Sequence, residues 1–485
     1  MMFAAPKLRV LAALSFGLLM ACGVAHAQSA LPQALMISDI HLDPFHDPAK
    51  VSQLMAAPVS GWEAILASPD SPAQAQDFAA LKTICKQKAD DTSYALLVSS
   101  LHAIQQNAAG VRFVTISGDL IAHDLPCKFK AILPRGTQAQ YESLVEKTIE
   151  FQARAIEKTL PHAVVYFSLG NNDSNCDDYK LDTDSAFLKT VGGVVGRGMG
   201  SAWTPAAAAS FAHGGYYSVT MSAPMRHTRL IVVNDIFLAP KYESCANKPD
   251  DAPGAAQMDW LAKQLNAARR LHQHVWVMGH IPPGVNPYAT ARKGLFKVCA
   301  PAGTDGAGPT MFMANESLGD TLAKNGDTIQ MTIFAHTHAD EMRLYSAGDA
   351  GAGDTAVAVK LVPSITPYNG NNPSFTVAQV NTATAVMEDY TVFTASDAQG
   401  SSWAKEYTFS EAYGHTGFTP ATLRLVIDGF RADTEDEAPA SQAYLHYYEA
   451  GEPPIKLPGL VWRAGVCALT NEHAADYVGC ACGSK

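Results

Sequence analysis

The sequence lacks a cluster of basic residues. Its 485 residues include 35 Lys and Arg against 46 Asp and Glu, which gives a formal net charge of −11 at pH 7. Proteins that bind nucleic acid neutralise its phosphates with clustered Lys and Arg, and no long basic run occurs here. The composition therefore argues against a nucleic-acid partner, while a hydrophobic content of 47% supports a large core.

Long apolar runs are also missing, apart from a short one near the N-terminus. Two basic residues precede the segment VLAALSFGLLMA, and AHA stands directly before Gln28. The apolar segment is too short to span a bilayer comfortably, and the small residues of AHA suit a cleavage site. We therefore expect a signal peptide at residues 1–27, cleaved after Ala27, and a secreted or periplasmic protein without a transmembrane segment. An uncleaved anchor and a lipoprotein site at Cys22 are the alternatives.

The sequence has no CxxC pair, which weakens any metal site built from cysteine. Eight cysteines follow the predicted signal peptide, and an even number in an exported protein predicts up to four disulfides. These are Cys85, Cys127, Cys176, Cys245, Cys299, Cys467, Cys480 and Cys482. We interpret them as structural, and their pairing stays open.

Six short apolar runs stop abruptly in polar residues, as buried strands do. They lie at 34–38, 111–117, 163–169, 229–233, 274–278 and 331–334. Stretches with apolar residues at three- and four-residue spacing lie between them and predict helices at 94–108, 141–160 and 257–271. This alternation predicts an α/β fold whose sheets are covered by helices. Gly-rich segments at 192–200 and 347–354 are interpreted as loops.

Residue types that bind metals follow five of the apolar runs. They are Asp39 with His41, Asp119 with His123, Asn171 with Asn172 and Asp173, His280, and His336 with His338. In α/β folds, binding residues gather beyond the carboxyl ends of the strands. Carboxylate, imidazole and amide ligands suit borderline and harder divalent cations. The pattern therefore predicts one metal site, whereas the HxH pair of His272 and His274 lies at a helix end and is interpreted as ordinary surface histidine.

The ordered motifs D-x-H, GD, GN, GH and H-x-H resemble those of the calcineurin-type dinuclear metallophosphoesterases. The segments SDIHLDPF, SGDLIAHD, LGNNDS, GGYYSV, GHIPPG, AHTH and PSITPYNGNNPSF are similar to the acid sphingomyelinase-like branch. This resemblance implies two packed mixed β-sheets flanked by helices, an α/β/β/α sandwich. It also implies a catalytic domain at 28–384 and a small, mainly helical, disulfide-bearing C-terminal cap at 385–485.

The resemblance also implies how the ligands are divided between two divalent metal ions. Asp39, His41 and His338 would hold one ion, and Asn171, His280 and His336 would hold the other. Asp119 would bridge them, because a shared carboxylate reduces the repulsion between two close cations. Zinc is the metal that the resemblance implies, with iron or manganese as alternatives.

Asn172 departs from the wider superfamily, many members of which have a histidine after the GN pair. The amide of Asn172 can donate a hydrogen bond but cannot deliver a proton near neutral pH. His123 matches the GDxxxH position of the branch and is our candidate for the general acid, with a supporting role beside the metal ligands as its alternative. Asp43, Asp124 and Asp173 are interpreted as supporting or turn residues.

The expected activity is hydrolysis of a phosphodiester by a metal-bridging hydroxide, in line and without a covalent intermediate. No GxSxG segment occurs, so a serine nucleophile has little support. The resemblance implies sphingomyelin, which would give ceramide and phosphocholine, or a related phosphodiester as substrate. Alternatives are a nucleotide or polyphosphate hydrolase, a phosphomonoesterase on soluble substrates, and a metal-binding protein without catalysis. The oligomeric state cannot be read from the sequence.

Overall fold

A computed structural model of the chain describes residues 1–2, 31–301, 303–347, 355–451 and 462–483. The predicted signal peptide, apart from residues 1–2, and most of the Gly-rich segment at 347–354 lie outside the described residues. Leu31–Lys485 form one compact unit, to which the following paragraphs refer. In the part of the chain that is described, no helix combines the length and apolar character needed to cross a membrane.

The described strands form two mixed six-stranded sheets. They are β1 Gln33–Ile37, β2 Val111–Ser117, β3 Val164–Ser168, β4 Tyr217–Thr220, β5 Thr228–Val232, β6 His274–Met278, β7 Ile329–Phe334, β8 Glu341–Ser346, β9 Ala356–Leu361, β10 Ser374–Val380, β11 Met387–Ala395 and β12 Trp403–Thr408. The first sheet has the order β12-β11-β10-β1-β2-β3 and the second β4-β5-β6-β7-β9-β8. The six predicted strands are β1, β2, β3, β5, β6 and β7.

The parallel parts of both sheets include the five strands that precede the predicted ligands, β1, β2, β3, β6 and β7. β1, β2 and β3 run parallel in the first sheet, and β5, β6, β7 and β9 in the second. The inner faces share one core, in which Phe113 of β2 contacts Trp276 of β6 at 5.6 Å between ring centroids. The predicted sandwich of two sheets is therefore confirmed, and it brings two sets of carboxyl strand ends together.

Helices cover the two sheets. They are α1 Val51–Ala56, α2 Trp62–Leu66, α3 Gln74–Cys85, α4 Tyr94–Asn107, α5 Leu125–Ile132, α6 Gln138–Thr159, α7 Ala186–Met199, α8 Pro205–Gly214, α9 Ala252–Arg270, α10 Pro287–Lys293, α11 Leu295–Val298, α12 Ser317–Lys324, α13 Phe409–Tyr413, α14 Pro420–Ala432, α15 Pro439–Tyr447, α16 Trp462–Ala468 and α17 Ala474–Cys482. The three predicted helices are α4, α6 and α9. Short 3₁₀ helices lie at Pro48–Lys50, Val59–Gly61, Gly200–Ala202 and Asp235–Leu238.

The interpretation of 192–200 as a loop is wrong, because most of this segment belongs to α7. Its glycines give room for aromatic rings on the helix surface. A Cβ at Gly196 would lie 2.5 Å from the indole of Trp203, and one at Gly192 would lie 3.0 Å from the ring of Phe211. Close packing of these rings offsets the cost of about 1 kcal/mol that a glycine brings to a helix interior.

Residues beyond 385 contribute to the first sheet before the chain turns helical. β11 and β12 are its outer strands, and α13–α17 follow from Phe409. The proposed C-terminal subdomain therefore includes two strands of the sheet, and a division at 384/385 stays a proposal.

All eight cysteines after the predicted signal peptide are paired. The disulfides are Cys85–Cys127, Cys176–Cys245, Cys299–Cys482 and Cys467–Cys480. Two of them involve α17, so the C-terminal helices are tied both to each other and to the body of the fold. Four disulfides fit a protein of an oxidising, extracytoplasmic compartment.

Glu406 on β12 gives the stability of the fold a pH dependence. Neither carboxylate oxygen of Glu406 has a hydrogen-bond partner among the described residues. Burial raises the pKa of Glu406 to about 9, and the nearby carboxylate of Asp340 adds to this effect while Lys360 opposes it. The folded chain thus keeps a proton that the unfolded chain releases near pH 4.5, so stability falls as the pH rises from about 4.5 to about 9.

We expect Glu406→Gln to remove this dependence, because an amide of the same shape does not ionise. Each unit of pKa displacement corresponds to about 1.4 kcal/mol of unfolding free energy. The stability of the variant relative to wild type should therefore increase as the pH rises. Urea unfolding at pH 5 and pH 8.5 measures the effect. A stability difference between the two proteins that is the same at both pH values would contradict it.

Candidate dinuclear metal site

The predicted ligands lie in the loops directly after β1, β2, β3, β6 and β7, where the two sheets meet. Five of them adopt left-handed backbone conformations, which side-chain-bearing residues rarely do. The φ angles are 46° for Asp39, 46° for His41, 54° for Asp119, 69° for His336 and 64° for His338. Such conformations are costly and concentrate at functional sites, where the surrounding structure holds them. The strands therefore end in strained turns that direct these side chains into one place.

Asp39, His41 and His338 form one half of the cluster. His41 Nε2 lies 3.8 Å and His338 Nε2 lies 3.4 Å from Asp39 Oδ1. The Nδ1 atom of His41 is 2.8 Å from the carbonyl oxygen of Ile121, which directs Nε2 inward. These three residues are the set that the resemblance assigns to the first ion.

Asn171, His280 and His336 form the other half. His280 Nε2 lies 3.1 Å from Asn171 Oδ1, and its Nδ1 lies 2.7 Å from the carbonyl oxygen of Ser117. Asn171 Nδ2 donates a hydrogen bond of 2.7 Å to Asp178, so the amide oxygen of Asn171 faces the cluster. His336 offers a ligand atom within 4.8 Å of those of Asp119 and His280.

Asp119 lies between the two halves. Its Oδ2 is 3.5 Å from His41 Nε2 and 3.1 Å from His280 Nε2. The backbone N–H and the side-chain amide of Asn172 donate hydrogen bonds of 2.9 Å to Oδ1 and Oδ2 of Asp119. A Cβ at Gly170 would lie 2.1 Å from Asp119 Oδ1, so only glycine leaves room for this carboxylate. Asn172 thus orients Asp119, the proposed bridging ligand.

The donor set fits divalent cations. Asp39 Oδ1, His41 Nε2 and His338 Nδ1 are buried without a hydrogen-bond partner in the described parts of the chain. Burial lowers the pKa of His280 and His41, but neighbouring Asp119 and Asp39 raise it more, to about 10 and about 9. Burial lowers the pKa of His336 and His338 to about 3. Positive charge therefore stabilises the buried carboxylates of Asp39 and Asp119. Bound cations would supply this charge and replace the protons on the imidazoles.

His123 lies beside the cluster, in contact with His41. Its ring stacks between His41, at 4.0 Å, and Tyr368, at 3.8 Å between ring centroids. His123 Nδ1 lies 2.8 Å from Asp91 Oδ1, and the backbone N–H of His123 donates to Asp91 Oδ2. With Nδ1 held by the carboxylate, Nε2 of a 22% exposed side chain is the nitrogen left to act on a substrate.

Sequence reasoning missed Asp91, which anchors His123. Burial raises the pKa of Asp91, but the charges of His123 and Lys128 lower it by more. The pKa of Asp91 is therefore below its usual value, and Asp91 stays ionised. Lys128 is itself buried and also binds Asp43 at 2.8 Å. Asp91 stands in the segment KADDTS before α4, away from any strand end, and no signal in that segment marks it.

Other buried carboxylates support the loops. Asp173 accepts hydrogen bonds from the backbone N–H groups of Leu120, Ile121 and Gly170, so it joins the GD and GN turns. Asp235 accepts one of 2.7 Å from the backbone of His280. The supporting role predicted for Asp173 agrees with these contacts. Asp124 is exposed and makes no side-chain hydrogen bond to the start of α5, but it lies in a turn with a φ of 55°, which agrees with its interpretation as a turn residue.

A cavity of about 320 Å³ opens onto His336 and His338 of the cluster. Its walls include Lys88, Tyr288, Phe312, Tyr368 and Tyr448. This volume falls at the lower end of the range for sites that bind small molecules. The cavity combines aromatic faces with a cationic group, next to a cluster suited to metal ions.

Curated relatives match almost the whole chain. "Cyclic GMP-AMP phosphodiesterase SMPDL3A" of Rattus norvegicus is 23% identical over 94% of this chain and 93% of its own length. "Acid sphingomyelinase-like phosphodiesterase 3b" of Homo sapiens is 26% identical over 90% of this chain and 85% of its own length. A dimetal phosphatase of Danio rerio aligns with 78% of this chain and 98% of its own at 10% identity and a TM-score of 0.37. No family model matches the sequence.

Proposed function

We propose that this chain, a homologue of the acid sphingomyelinase-like phosphodiesterases, is an exported phosphodiesterase that uses two divalent metal ions. The relatives confirm the family resemblance and support a metal-dependent hydrolase of phosphoesters. One observation carries the proposal. The seven predicted ligands, distant in sequence, lie together, and three of their buried atoms, Asp39 Oδ1, His41 Nε2 and His338 Nδ1, have no hydrogen-bond partner among the described residues.

The proposed ligand assignment follows the two halves of the cluster. Asp39, His41 and His338 hold one ion, Asn171, His280 and His336 hold the other, and Asp119 bridges them. The short approaches of Asp119 to His41 and His280 support this assignment. Bound ions of this kind lower the pKa of water and neutralise charge on phosphate oxygens. Zinc is the proposed metal, and reconstitution distinguishes it from iron and manganese.

His123 is the proposed general acid. The carboxylate of Asp91 accepts the hydrogen bond from Nδ1–H and orients the ring, so that Nε2–H can donate to the leaving oxygen. Asn172 keeps Asp119 in place rather than supplying a proton, because its amide is committed to that carboxylate. His123 thus takes the proton-donating role that the resemblance assigns to a histidine after the GN pair in many superfamily members.

The proposed substrate is a phosphodiester whose organic part fits the aromatic cavity. Tyr288, Phe312 and Tyr368 offer faces for a nucleobase or for a choline group, and Lys88 offers a charge for a further phosphate. Relatives are named for cyclic GMP-AMP and for sphingomyelin, so both are candidates. Export is part of the proposal, with residues 1–27 removed as a signal peptide, and the four disulfides support it.

We expect a chelator to abolish hydrolysis and zinc to restore it. The measurement is a panel of sphingomyelin, CDP-choline, cyclic GMP-AMP, ATP, polyphosphate and aryl phosphate mono- and diesters, assayed with metal-stripped and reconstituted protein. The expected result is metal-dependent cleavage of the aryl diester and of one natural diester, with the monoester much slower. A protein that binds two ions but cleaves nothing in the panel would instead be a metal-binding protein without catalysis.

A further inference from the structure

Four side chains with metal-binding atoms meet where α12 contacts the turn between α16 and α17. They are Glu316, Asp320, Glu472 and His473, distant from the candidate dinuclear site in sequence. His473 Nε2 lies 2.9 Å from Asp320 Oδ1, 3.8 Å from Glu472 Oε1 and 4.0 Å from Glu316 Oε2. Ligand atoms of Asp320, Glu472 and His473 all lie within 4.8 Å of one another.

Glu472 provides an independent indication of a ligand. Its side chain is only 7% exposed, and Oε2 has no hydrogen-bond partner in the described residues. A buried carboxylate without a partner is costly, and a bound cation removes that cost. A Cβ at Gly319 would lie 2.8 Å from Oε2, so the surface of α12 leaves the carboxylate its space. A cavity of about 320 Å³, with Glu316 and Glu472 in its wall, gives access from solvent.

We propose that Glu316, Asp320, Glu472 and His473 bind a third divalent cation, separate from the two at the strand ends. One imidazole and three carboxylates form a set that suits Zn²⁺ or Mn²⁺. The remaining contacts leave these atoms available: Lys324 binds the other oxygen of Asp320, and the backbone of Ala474 donates to the other oxygen of Glu316. The competing arrangement is a protonated His473 that pairs with the acids and with Asp476, 3.3 Å from Nδ1.

The position of the site indicates that the cation stabilises the packing of the C-terminal helices. The C-terminal helices pack through a small core of their own, which includes Val285, Val298, Cys467 and Tyr477. Small cores need covalent or metal cross-links for stability, and two disulfides, Cys299–Cys482 and Cys467–Cys480, already cross-link this one. The same core includes Val285, in the loop before α10. A cation at Glu472 and His473 would therefore fix the C-terminal helices against α12.

Metal content tests the proposal on the full mature chain. Protein equilibrated with Zn²⁺ and freed of excess ion is expected to hold about three ions per chain, of which one is lost in Glu472→Gln and in His473→Gln. Both variants keep the size of the replaced side chain, and hydrolysis of an aryl phosphodiester at saturating zinc is expected to stay within about twofold of wild type. His272→Gln, at an exposed histidine elsewhere, is the matched control and should keep all ions.

A second measurement separates this site from the dinuclear one. Asp119→Asn should lose ions at the strand ends yet keep the ion that depends on His473. The double variant, which combines Asp119→Asn with His473→Gln, should therefore hold one ion fewer per chain than Asp119→Asn alone. Added Mn²⁺ should raise the unfolding temperature of Asp119→Asn but not that of the double variant. Equal metal content with and without His473 in both backgrounds would overturn the proposal and leave the charged-histidine arrangement. That outcome would not affect the proposed function.

Discussion

Asp119→Asn is expected to lower kcat/KM for an aryl phosphodiester by roughly 10³–10⁵-fold, because a bridging carboxylate accounts for several kcal/mol of charge stabilisation. Asp119 Oδ2 approaches histidines of both halves, at 3.5 Å from His41 Nε2 and 3.1 Å from His280 Nε2, and it lies closer to both than Asp39 Oδ1 does, at 3.8 and 3.9 Å. An asparagine at this position keeps the shape of the side chain and tolerates the φ of 54°. It removes the negative charge that two close cations share, so metal content should fall together with activity.

The control for this prediction is Asp124→Asn, a change of the same kind at an exposed residue five positions along the chain, also with positive φ. It should retain nearly full activity and metal content. Circular dichroism and the unfolding temperature must show that Asp119→Asn is folded. A folded Asp119→Asn that binds two ions and hydrolyses the diester at a rate close to wild type would refute the bridging role.

The points at which apolar runs end in polar residues allowed both the strands of the fold and the residues of the site to be predicted from the sequence. Apolar runs that stop at a Gly and a polar residue identified β2, β3 and β6, and the residues after them proved to lie together. The same criterion rejected His272 and His274, because His272 lies before β6 and His274 is its first residue, and His272 is exposed. Position relative to a strand therefore carried more information than the HxH spacing did.

What sequence reasoning missed depends on contacts between distant segments. Asp91 became recognisable only when the fold placed it 2.8 Å from His123, 32 residues away. The glycines of α7 looked like loop residues, because the aromatic rings that pack on them come from the following segment. The left-handed conformations of Asp39 and His336 have no marker either, since neither residue type requires them. In each case the deciding interaction is tertiary.

His123→Ala is expected to show an effect that depends on the leaving group. General acid catalysis contributes about 10²–10⁴-fold, so loss of that size is expected for diesters with alkoxide leaving groups such as sphingomyelin. A nitrophenolate leaves without a proton, and its diester should lose about tenfold or less. Rates for a series of aryl and alkyl diesters should therefore depend more steeply on the pKa of the leaving group in the variant than in wild type.

Two further variants separate proton donation from placement of the metal ligands. His123→Gln retains a hydrogen-bonding side chain next to His41 but cannot release a proton, so it should behave like His123→Ala towards alkyl diesters. Asp91→Asn removes the charge that holds Nδ1–H and should show a smaller loss with the same dependence on the leaving group. If all three variants lost activity equally towards aryl and alkyl diesters, with reduced metal content, His123 would instead support His41. The leaving group, rather than the size of the loss, decides between these roles.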